Sequence, residues 1–78
     1  MRIQLQCNNA GSWKTVAKSI NPDMLEEVKA AVLTLARAAI HYPVDFKLVD
    51  AEDVEPHPSG RILASTTGNG ANASWVTR

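Results

Sequence analysis

The chain has one cysteine, no net charge, no long apolar run and few aromatic side chains. Cys7 is the only cysteine among 78 residues. An intramolecular disulfide, a thiolate zinc cluster and a CxxC redox pair are therefore excluded, and a reducing compartment fits. Eight basic residues balance eight acidic ones, so the overall field that draws phosphates to nucleic-acid binders is missing and direct DNA or RNA contact is not expected. No stretch approaches the ~18 uninterrupted apolar residues of a membrane span, and the first residues lack the apolar core of a signal peptide. The expected location is cytoplasmic. Only Trp13, Tyr42, Phe46 and Trp75 are aromatic.

What remains is the composition of an ordinary globular domain, with 45% hydrophobic and 21% charged residues, too apolar for a disordered chain. A chain of this length makes one domain, residues 1–78, and buries only about 60% of its unfolded surface, so its core is thin. The neutral total conceals an uneven distribution. Residues 1–20 carry Arg2, Lys14 and Lys18 with no acid, whereas residues 45–55 carry Asp45, Asp50, Glu52, Asp53 and Glu55 against Lys47.

The strongest positive signal is a helix over residues 21–40. At about 100° per residue, Leu25, Val28, Val32, Leu35, Ala36 and Ala39 share one apolar stripe, opposite Glu26, Glu27, Thr34, Arg37 and His41. Leu33 lies about 80° from Leu25, outside that stripe, and is a candidate exposed contact. Asn21 suits the N-cap, Pro22 the first helical position, and Asp23, Glu26 and Glu27 the positive end of the helix dipole. Pro43 forbids continuation.

The flanking segments alternate with the period of strands. Ile3, Leu5 and Cys7 alternate with Arg2, Gln4 and Gln6, and Trp13 to Ala17 follow after a short polar connection, which predicts a hairpin. With Gly11 left-handed in a three-residue Asn9 to Gly11 loop, Cys7 opposes Trp13 and Leu5 opposes Thr15, whereas a two-residue Ala10 and Gly11 turn pairs Leu5 with Val16; the first is preferred because it places Trp13 on the apolar face. Val44, Phe46 and Leu48 predict a third strand that Val49 extends, and residues 50–60 read as a loop. Residues 61–67 and 73–77 predict a last hairpin, with Asn69 and Gly70 in a tight turn, Leu63 facing Val76 and Ala64 facing Trp75. The expected fold is α+β, a two-layer arrangement of one helix on a mostly antiparallel sheet in the order β-β-α-β-β-β.

Candidate chemistry is sparse. Gly68, Gly70 and Ala73 match a GxGxxA pattern, but too few residues follow for the helix that a dinucleotide site requires, so a plain turn is the better reading. The acidic run lacks the glycine and the bidentate twelfth position of a calcium loop, and no metal or other cofactor is expected. Cys7 with His41 or His57, and Ser59 with His57 and Asp53, have suitable residue types for nucleophilic catalysis, yet nothing local enforces the geometry. Cys7 is in phase with Ile3 and Leu5, as an inert buried thiol would be.

By elimination the expectation is a non-catalytic protein-binding module, of the inhibitor or accessory-factor kind that phages and mobile elements encode. In that reading Asp50, Glu52, Asp53 and Glu55 dock on a basic surface of another protein, and Trp13 or Trp75 supplies buried area. The alternative is a structural homodimer formed through exposed sheet edges.

Overall fold

A computed structural model describes residues 1–8, 11–39, 44–53 and 60–77. It contains strands β1 (Ile3–Asn8) and β2 (Trp13–Ile20), helix α1 (Leu25–Ala38), and strands β3 (Asp45–Asp50), β4 (Arg61–Thr67) and β5 (Ser74–Thr77). The strands form one sheet in the order β2-β1-β3-β4-β5, with every neighbouring pair antiparallel. The architecture is α+β, with the single helix on one face of the sheet. Because β2 and β3 both run opposite to β1, they are parallel to each other, and α1 is the crossover between them.

The helix opens through one 3-10 turn at Pro22–Met24 before the α-helical hydrogen bonds begin at Leu25. Asn21 caps it as expected, its side-chain oxygen accepting the Asp23 N–H at 3.0 Å. Ala39, with extended ψ, ends it. The apolar faces of β1 and β3 meet the helix through Ile3, Leu5, Phe46 and Leu48 in one cluster with Val32, Ala36 and Ala73.

Leu35 departs from the expected stripe and stands 57% exposed, while Leu33 packs against the core in its place. Two anchors explain the roll. The Trp75 indole N–H donates to the Lys29 carbonyl at 2.9 Å, and Arg37 Nε donates to the Ala73 carbonyl at 3.2 Å. Both lie on the Leu33 side of α1, so that flank is drawn toward β5 and Leu35 turns outward.

The first hairpin is one residue out of the expected register: Asn8, not Cys7, opposes Trp13, and Gln6 opposes Thr15. Here β1 ends at Asn8 and β2 begins at Trp13, with Asn8 Oδ1 accepting the Gly11 N–H at 3.0 Å and Gly11 at φ +92°. A shift of one residue exchanges the faces, so Trp13 lies on the side of Gln6 and Asn8, away from the helix. Two β-bulges, one opposite the Leu5 to Gln6 step and one opposite the Ile3 to Leu5 step, return Ala17 and Ile20 to the core side, where both pack.

The last hairpin is also out of register, by two residues: Ser65 opposes Val76 and Thr66 opposes Trp75. In place of the tight Asn69 and Gly70 turn stands a wider loop with a 3-10 turn at Gly70–Asn72. Gly68, at φ +81°, lets the loop pass so close that an added Cβ would lie 2.5 Å from the Asn72 carbonyl oxygen. The extra length inserts Ala73 into the core, where it is 2% exposed. A two-residue shift conserves faces, and Trp75 still points toward the helix.

Candidate protein-contact surface

The acidic bend is built mainly by its own contacts. Asp50 ends β3 and is 8% exposed. Its Oδ1 accepts the Arg2 N–H at 3.3 Å and the Glu52 N–H at 3.1 Å. The Ala51 N–H donates to the Arg2 carbonyl at 2.8 Å, and the Asp53 N–H to the Asp50 carbonyl at 3.2 Å. The bend is thus a strand terminus sealed by a carboxylate, because a buried acceptor must be satisfied by donors within reach. Gly60 is part of the seal, its Cα so near that an added Cβ would lie 2.8 Å from the Asp50 carbonyl oxygen.

Asp53 meets Arg61, with Oδ2 2.9 Å from Nε. Glu52 is the more open carboxylate, 3.3 Å from the Met1 amine with its side chain 61% exposed. Glu55, His57 and Ser59 lie outside the described residues, as does His41. Of the described acids expected to form a docking cluster, Asp50 accepts backbone N–H groups, Asp53 faces Arg61 and Glu52 faces the Met1 amine, and Glu52 is the most exposed of the three.

The two tryptophans take opposite roles. Trp75 is half-buried against the core, with its N–H satisfied by Lys29 and the Lys29 ammonium 5.9 Å from its ring centroid. Trp13 is 42% exposed on the sheet face opposite α1, which no described helix covers. Lys47 lies beside it with Nζ 4.2 Å from the ring centroid, a cation–π contact that holds the indole in place. Burial of the Lys47 ammonium pushes its pKa below the ordinary 10.5.

The helix-free face is a mixed surface. Register places Gln4, Gln6, Trp13, Thr15, Lys47, Ser65 and Val76 on it, with Ile62 beside the buried Val49. Ile62 is 40% and Val76 37% exposed. Sequence reasoning passed over Lys47, Ile62 and Val76, although Lys47 alternates with Phe46 and Leu48 and so had to lie opposite the core.

At one margin of the sheet runs β2, eight residues long and paired only through β1. Trp13, Lys14, Thr15, Val16, Lys18 and Ser19 are exposed along it, Val16 to 56% because it occupies a bulge. Neither Lys14 nor Lys18 has an ion-pair partner among the described residues. The opposite margin, β5, has only four residues.

Cys7 is a free, partly buried thiol on the core side. Among the described residues no group of three or more His, Cys, Asp or Glu side chains is placed to hold a metal ion. No described helix is long and apolar enough to cross a membrane. Comparison with protein-family models, curated proteins and solved structures finds no match.

Proposed function

We propose that this protein is a non-catalytic binding module of the inhibitor or accessory type, which contacts another protein through the Trp13 end of its helix-free sheet face. The observation that carries the reading is Trp13 itself, a large aromatic side chain 42% exposed and held by Lys47 instead of being packed into the core. Rigid, half-exposed tryptophans are the side chains that most often dominate association energy, because they bury much area at small entropic cost. Ile62 and Val76 extend the apolar character of the same face, and Gln4, Gln6 and Ser65 give it polar groups that suit a rim.

The acid-rich bend is the weaker docking element in this reading, since Asp50 and Asp53 already have partners. A cytoplasmic setting fits the single free thiol.

The test is affinity capture from lysate of the source organism with the wild-type chain, Trp13→Ala and Glu52→Gln. The reading expects a captured protein that Trp13→Ala loses and Glu52→Gln retains. Retention by Trp13→Ala with loss by Glu52→Gln would return the contact to the acidic bend.

A further inference from the structure

The longest exposed edge of the sheet, β2, carries two cations and no acid: Lys14 and Lys18 stand on either side of the bulged Val16, and residues 1–20 contain no Asp or Glu at all. We infer that β2 is a strand-addition site for an extended acidic segment of a partner protein. This rests on the reading of the protein as a binding module and names the chemistry of what it binds. An edge strand presents main-chain N–H and C=O groups that an added strand can pair, and side chains on that edge then decide which strand is admitted.

Lysines on an edge exclude as well as attract. A second copy of β2 would bring two more lysines to the two already there, and a basic strand would be repelled in the same way. An acidic strand meets complementary charge along the same line, with Trp13 at the head of β2 and the exposed Val16 within it offering apolar contact. The two bulges twist the edge, which disfavours long flat pairing and limits the site to a short segment.

The test uses fluorescein-labelled peptides matched to the eight residues of β2, alternating Glu with Val or Lys with Val, read by fluorescence anisotropy. The Glu–Val peptide is expected to bind saturably below about 1 mM, and the Lys–Val peptide to bind far more weakly. Combined Lys14→Glu and Lys18→Glu substitution, with the fold verified by circular dichroism, is expected to weaken the Glu–Val peptide by roughly tenfold, as loss of two exposed ion pairs implies. N-methylation of alternate residues, along one peptide edge or along the other, removes main-chain donors without altering charge, and is expected to abolish binding for the edge that pairs with β2 and to spare it for the outward edge.

Four results would overturn the site: no binding of the Glu–Val peptide, binding that survives N-methylation of both edges tested in turn, equal binding of a single-stranded oligothymidylate, or a doubled solution mass that the Lys14→Glu and Lys18→Glu variant abolishes. If strand addition fails while capture still depends on Trp13, the binding-module reading stands through the sheet face alone.

Discussion

The indole N–H of Trp75 donates to the main-chain carbonyl of Lys29 across 2.9 Å, joining β5 to the N-terminal half of α1. Together with the Arg37 contact to Ala73, it fixes the rotation of α1 about its own axis. The helix therefore covers one face of the sheet with Val32, Ala36 and Leu33, and the other face carries the exposed Trp13.

Replacing Trp75 tests this junction. Trp75→Phe keeps an aromatic ring of smaller area and loses the donor, which should cost about 1 to 2 kcal/mol. Trp75→Ala removes the packing as well and should cost about 3 kcal/mol. Denaturant unfolding of the two variants measures both, and equal losses would mean that the hydrogen bond alone holds β5.

Glycine positions separate conformation from crowding. Gly11 and Gly68 both have positive φ, but an added Cβ meets nothing within 4 Å at Gly11 and lies 2.5 Å from the Asn72 oxygen at Gly68. Gly11→Ala should cost about 1 kcal/mol for backbone strain, and Gly68→Ala about 3 kcal/mol because the loop must also move. Thermal unfolding of each variant checks the order.

The elements themselves were legible in the sequence because alternation and helical periodicity report burial directly. Asn21, Pro22 and the first-turn acids marked the helix entry, and Phe46 and Leu48 marked the central strand. Periodicity placed Leu35 on the stripe and Leu33 outside it, although the two lie about 80° to either side of Leu25; Trp75, 40 residues or more away in sequence, reverses that choice. Hairpin register was decided by loops whose lengths local turn signals did not specify. A one-residue error transferred Trp13 to the other face, while a two-residue error left Trp75 where it was expected. Asp50 looked like one solvated acid among several, since its burial depends on the Arg2 N–H brought alongside by strand pairing.

That difference among the acids is measurable. Asp50→Ala leaves the Arg2 and Glu52 N–H groups without their acceptor and should cost about 1 to 3 kcal/mol. Glu52→Gln should change stability by less than about 0.5 kcal/mol, as for other exposed positions. Comparable costs at the two sites would contradict the account of the bend.

Lys47 should leave a signature in alkaline solution. Burial holds its pKa in the folded protein below 10.5, so between the folded value and 10.5 the unfolded chain binds more protons and stability rises with pH. The cost of the buried charge is complete below the folded pKa and vanishes above 10.5. Wild type should therefore gain on Lys47→Gln as the solution is taken from about pH 8 to about pH 11, with denaturant unfolding as the readout. A constant difference would show that Lys47 is as well solvated when folded as when unfolded.

Titration of the ¹⁵N-labelled protein with an acidic extended peptide, followed by amide and indole NMR shifts, tests most directly which surface makes contact. The account predicts that the Trp13 indole and the amides of Trp13–Ile20 move together while those of Glu52 and Asp53 stay in place. Shifts confined to Glu52 and Asp53, with β2 and Trp13 unchanged, would contradict it.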